Sequence, residues 1–185
     1  MKRIALIIVG IVVLLMLIGI NAYNNLIMAK ENVSSSWAQV ENVMQRRYDL
    51  IPNLVNTVKG YAKHEKNLLV EVTRLRSQWA QAQTPQDQIS ASGNLESALG
   101  RLMMVVENYP DLKSNQNFLM LQNQLEGTEN RIAVERMRYD NAVRNYNILT
   151  MEFPSNIFAK FLGFNHVHSY FQASMKAQHV PRVQF

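Results

Sequence analysis

Apolar residues change rhythm twice along this chain. From Ile4 to Ile20 the sequence holds only Ile, Val, Leu, Met, Ala and Gly, a 17-residue run that as a helix rises about 26 Å, close to the thickness of a bilayer's hydrocarbon core. No charge follows until Lys30, while Asn21, Asn24 and Asn25 mark a return to water and Tyr23 suits the headgroup zone. Residues 1–28 are therefore expected to form a transmembrane anchor. The run is longer than the apolar core of a cleaved signal peptide, and no small-x-small site stands near Asn21.

Beyond the anchor, apolar residues recur at spacings of three and four, the signature of helices with one buried face. Leu26, Val33, Trp37, Val40, Met44 and Tyr48 make the first stripe. Pro52 cannot continue a helix and disfavours helical geometry at Ile51, so a break is expected at 49–52. Pro52 then opens a second helix carrying Val55, Val58, Ala62, Leu69, Val72 and Trp79, which runs to the Thr84-Pro85-Gln86-Asp87 punctuation. Leu95, Leu99, Leu102, Val106 and Tyr109 form a third stripe ending at Pro110. Phe118, Leu121, Leu125, Ile132, Tyr139, Val143, Tyr146 and Phe153 form the longest, ending at Pro154. Short connections favour antiparallel neighbours. The predicted fold class is all-α: an N-terminal transmembrane helix followed by a long antiparallel bundle of three to four helices over 29–153, with 154–185 as an aromatic, basic C-terminal tail.

Composition agrees, with 7 glycines and 5 prolines in 185 residues. The absence of cysteine removes disulfides, thiolate zinc sites and a cysteine-linked lipid anchor. Charge matters through its placement. Residues 4–152 contain 14 basic and 14 acidic side chains, so the net +5 comes entirely from Lys2 and Arg3 at one end and Lys160, Lys176 and Arg182 at the other. A neutral middle argues against a nucleic-acid partner, and basic ends suit anionic lipid. Lys2 and Arg3 before the span, against Lys30 alone just after it, favour a cytoplasmic N-terminus and an extracytoplasmic body.

Particular words in the sequence carry a resemblance. Arg46-Arg47-Tyr48-Asp49-Leu50-Ile51-Pro52-Asn53-Leu54-Val55, then Val58-Lys59-Gly60-Tyr61-Ala62 and His64-Glu65, are similar to the signature of the LemA family. Tyr109-Pro110-Asp111-Leu112-Lys113, Asn117-Phe118, Thr128-Glu129-Asn130-Arg131-Ile132-Ala133, Phe153-Pro154-Ser155-Asn156 and Pro181-Arg182-Val183-Gln184-Phe185 extend it in order to the last residue. Val105-Val106-Glu107-Asn108 departs from a stretch more often rich in alanine. The resemblance implies a helical extramembrane domain on one N-terminal span, with no established enzymatic activity.

Catalytic chemistry has no obvious centre. His166-x-His168 offers two imidazoles without neighbouring carboxylates or thiolates, and His64-Glu65 lacks a second histidine. No glycine-rich phosphate loop or nucleophile elbow occurs, and no cofactor is expected. More informative are polar residues on apolar stripes: Glu65, Thr128 and Glu135, with Arg46, Arg47, Arg131 and Arg138 as available partners. Such pairs either fix helix register or rotate into water. In the tail, Phe158, Phe161, Phe164, Tyr170, Phe171 and Phe185 accompany Arg182, with no acidic residue after Glu152. Six rings in 32 residues imply docking on the bundle's flank, the membrane or a neighbouring subunit, with the last two favoured.

These features together suggest a membrane-anchored scaffold or adaptor of the bacterial cell envelope. It would sit as a single-pass protein in the cytoplasmic (inner) membrane, with lipid, a homo-oligomeric copy and an unidentified membrane protein as partners. An accessory subunit of an envelope enzyme and an anionic-lipid-binding, membrane-organising protein are the alternatives.

Overall fold

The computed structural model describes residues 2–167 and 169–171. Among them are seven α-helices and one 3₁₀ turn, with no strand. Helix α1 (Lys2–Tyr48) begins in the apolar run and ends where Pro52 forbids continuation. Its last two links are Asp49 N–H to Gln45 and Leu50 N–H to Arg47. Pro52 then sits in the first turn of α2 (Ile51–Tyr61), where its missing donor costs nothing. Proline likewise opens α4 (Pro85–Val106) and α5 (Pro110–Lys113). At α4 the Thr84 hydroxyl caps the helix, accepting from Asp87 N–H at 3.1 Å while donating to the Asp87 carboxylate at 2.6 Å.

One sequence expectation changes. The helix anticipated from Pro52 to Thr84 is divided into α2 and α3 (Lys66–Gln81), joined by a 3₁₀ turn at Lys63–Glu65. Ala62 leaves helical geometry (φ −108, ψ 65) two residues after Gly60, which is the weakest helix former in the stretch after the proline. The bend turns the chain so that Ile51, Leu54 and Val58 of α2 share a core with Leu69, Val72, Leu75 and Trp79 of α3. A straight helix would expose one of these two faces.

The described residues fall into two compact units, the first from those of Met1–Ala38 and Met137–His168, the second from those of Gln39–Arg136 and Ser169–Phe185. Helices α1 and α6 (Gln116–Met151) contribute to both. In the first unit Leu26, Tyr139, Val143 and Tyr146 are buried, and Trp37 stands edge-on to Tyr139 at 5.1 Å. Pairing of Trp37 with Tyr139 and of Val33 with Tyr146 makes α1 and α6 antiparallel there. The apolar residues from Ile4 to Ile20 are exposed almost throughout, with no covering core among the described residues. Helix α7 (Ser155–Leu162) completes this unit, stopped by Gly163 in the left-handed region (φ 77), a conformation glycine adopts without Cβ strain.

In the second unit α3 and α4 are antiparallel neighbours, with Arg101 reaching Glu71 at 2.7 Å. Antiparallel α4 and α6 are tied by Arg136 and Glu96, and the end of α1 inserts Val40, Met44 and Tyr48 into the same core.

Candidate functional site

The second unit carries a partly buried charge network. Arg47, only 8% exposed, pairs with Glu129 of α6, while Arg136 pairs with Glu96 of α4. Desolvation lowers the pKa of Arg47, opposed by the nearby Glu96 carboxylate. The adjacent Tyr48 hydroxyl is pushed well above the ordinary phenol value, first by burial and then by Glu96. Both carboxylates are thus engaged by guanidinium groups across helices, an arrangement that specifies register more readily than it transfers protons. Beside it lies an open cleft of about 410 Å³ walled by Leu99, Gly100, Met103 and Leu125, with Gln122 and Glu126 at its rim.

The residues singled out from the sequence are distributed differently. Arg47 belongs to the network. Glu65 stands half-buried in the 3₁₀ turn and accepts a hydrogen bond from the Tyr109 hydroxyl at 3.3 Å, not from an arginine. Thr128 is buried, and its hydroxyl donates to the Leu125 carbonyl one turn earlier, at 2.9 Å. It lines a hollow of about 210 Å³ together with Arg46 and the exposed Arg131. Glu135 is half-buried on α6 and Arg138 exposed. Sequence reasoning passed over Glu96, Glu129 and Arg136. Glu129 and Arg136 are opposite charges seven residues apart, flanking Ile132 on one helix face, and that spacing was the available signal.

A groove of about 670 Å³ opens between α2 and α3. Val55, Ala62, Leu69 and Val70 form its apolar floor, and Lys59, Lys66 and Arg74 stand around it. No acidic residue lines it, and none of the three cations has an ion-pair partner among the described residues.

The tail divides between the units. Phe158 packs on Gly19, and Phe164 meets Tyr23 edge-on with centroids 6.2 Å apart, the Lys30 ammonium lying 5.9 Å from the Phe164 ring. Asn147 grips the following chain in two directions, donating to the Val167 carbonyl at 2.8 Å and accepting from its N–H at 2.9 Å. Tyr146 donates to the Asn165 carbonyl at 3.0 Å. The Thr150 hydroxyl stands 2.8 Å from the Asn147 carbonyl and 2.7 Å from His166 Nδ1, tying His166 to the same helix. Residues 164–167 therefore dock on their own unit's flank. Phe161, in contrast, is turned outward. Tyr170 and Phe171 belong to the second unit, where Arg136 lies 4.8 Å from the Phe171 ring. Arg182, Phe185 and His168 lie outside the described residues.

Among the described residues no three His, Asp or Glu side chains converge as metal ligands would. The described residues fit a helical membrane protein, with one N-terminal helix long and apolar enough to cross a bilayer. The sequence profile of the LemA family matches residues 36–185, and the chain belongs to that family. It is 28% identical to magnetosome protein MamQ 2 of Paramagnetospirillum magneticum over 176 aligned residues, covering 81% of this chain and 64% of that protein. Magnetosome protein MamQ of Magnetospirillum gryphiswaldense is 24% identical, with 78% and 63% covered. Protein LemA of Metamycoplasma hominis is 22% identical, with 73% and 59% covered. The chain thus spans somewhat less than two thirds of the length of these relatives.

Proposed function

We propose that this protein is an adaptor of the bacterial cell envelope, anchored by α1 in the cytoplasmic membrane with its N-terminus inside, which holds partner proteins without performing chemistry of its own. The observation that carries this reading is the groove between α2 and α3. An apolar floor surrounded by three unpaired cations complements an amphipathic helix with an acidic polar face, the familiar mode of helix-in-groove recognition. The ion network supports the same reading, because its carboxylates are committed to arginines that hold the helices in register. Copies of the chain associate in the membrane as part of this scaffold.

Gentle detergent extraction followed by native mass measurement tests the proposal. The expected particle is heavier than one chain, and Val70→Glu, an exposed groove position, strips the added partner while leaving helicity unchanged. A wild-type particle of one chain with nothing bound would overturn the adaptor reading.

A further inference from the structure

Among the described residues, helix α7 leaves an apolar face uncovered. Phe158 and Ala159 face inward, Phe158 onto Gly19 and Ala159 into the core. On the side opposite Ala159, Ile157 is 58% and Phe161 88% exposed, one turn apart on one face, with Phe153 just before the helix 75% exposed; Leu162, at the end of the helix, is 45% exposed. Four large apolar groups within ten residues form an uncommon patch for a surface facing water.

Its location says what covers it. Gly19 is the penultimate residue of the uncharged apolar run, one turn before Tyr23 and adjacent to the asparagines that mark the return to water. The Phe158 contact therefore fixes α7 at the level where the anchor leaves the hydrocarbon. There the exposed apolar side chains of α7 lie beside the exposed apolar surface of α1, the helix long and apolar enough to cross a bilayer. Lys160 lies between Ile157 and Phe161 in sequence, and a lysine there can extend to phosphate while its stem stays apolar. No acidic residue follows Glu152 to oppose an anionic headgroup.

We propose that α7 is a second membrane contact: an interfacial helix that sinks Ile157 and Phe161 into the acyl-headgroup boundary beside the anchor, to a depth of about 5–10 Å. The occupant of this face is the bilayer. The inference rests on α1 spanning that bilayer and is independent of what binds the α2–α3 groove.

The chain has no cysteine, so single labelling sites can be introduced cleanly. The full-length variants Phe161→Cys, Ile157→Cys, Val12→Cys and Asn141→Cys, each carrying an environment-sensitive fluorophore, are reconstituted in phosphatidylcholine–phosphatidylglycerol vesicles. Lipids brominated at defined acyl depths serve as quenchers. All four positions are exposed in the structure, so the labels need not disturb packing. Labels at 161 and 157 should show blue-shifted emission and quenching strongest with shallow bromines. The label at 12 should be quenched most by deep bromines, and that at 141 by none. A label at 161 with water-like emission and no quenching, while position 12 is quenched, would place α7 in water and end the proposal without touching the span. A label at 161 that is shielded but insensitive to bromine, and becomes water-like on dilution in lipid, would mean that a second copy covers the face, which also overturns it. Failure of position 12 to quench would remove the span and α7's membrane role together.

Discussion

Tyr48, the last residue of α1, stands edge-on to Trp79 of α3 with ring centroids 4.6 Å apart and planes at 74°. The Tyr48 backbone carbonyl, an orphan at the end of a helix, is meanwhile taken by the Arg76 Nε–H at 2.9 Å. One residue thus closes a helix, fills the core and receives a neighbour's cation. Removing its ring partner should be costly. Trp79 is 3% exposed, and Trp79→Ala is expected to destabilise by roughly 3–5 kcal/mol through the cavity it leaves. Trp37 is only half-buried, so Trp37→Ala should cost less, about 1–2 kcal/mol. Chemical or thermal denaturation of the two variants would show the ranking, and equal losses would contradict the burial difference.

The Tyr48 phenol also predicts an alkaline weakness. Its pKa is raised in the folded state by burial, then by Glu96, from an ordinary value of 10.0. The folded protein therefore keeps a proton that the unfolded chain releases above pH 10. The stabilisation is complete below that pH and declines as pH rises through it, by at most about 1.4 kcal/mol per pH unit. Denaturant midpoints measured between pH 9 and 11 should fall for the wild type and much less for Tyr48→Phe. A parallel decline in both would assign the effect elsewhere.

For the charge network the size of the effect depends on which atoms are removed. Arg47→Met removes a desolvated guanidinium but leaves Glu129, whose side chain is 42% exposed and can be solvated, and is expected to cost about 1–2 kcal/mol. Glu96→Gln instead leaves Arg47 and Arg136 facing each other with less compensation, and should cost roughly 2–3 kcal/mol. Combining the two should recover part of that loss. A double-mutant cycle by urea unfolding decides it, and strict additivity would show that the groups do not interact.

Asn147 makes the most specific prediction about the tail. Its side-chain amide holds both backbone groups of Val167, and an alanine there offers neither donor nor acceptor. Asn147→Ala should release the 164–167 segment, lowering the free energy of local opening at the Val167 amide by about 1–3 kcal/mol. Hydrogen exchange reads this directly. Unchanged protection at Val167 would mean that the Phe164 contacts hold the segment without Asn147.

The sequence by itself determined where helices begin and end at prolines, because a residue without an amide hydrogen has the same consequence in any surroundings. Pro52, Pro85 and Pro110 all open helices as their positions require. It also determined which residues are apolar enough to leave water, from the 4–20 run to the stripe through Leu95, Leu99, Leu102 and Val106. Family membership was legible for a similar reason, being written in local words such as Asp49-Leu50-Ile51-Pro52. Pairings between distant residues were not. Arg47 was marked as a donor, but its partners Glu129 and Glu96 lie 82 and 49 residues away, and only the crossing of α1, α4 and α6 selects them from fourteen carboxylates. The bend at Ala62 was hidden because no proline marks it; it forms when burying both α2 and α3 outweighs keeping one helix straight. The tail's aromatic content predicted docking and left its surface open. Tertiary structure chose it, through Asn147 and Gly19, because a carboxamide pairs with any accessible backbone and a glycine admits any ring, and only packing decides which ones arrive.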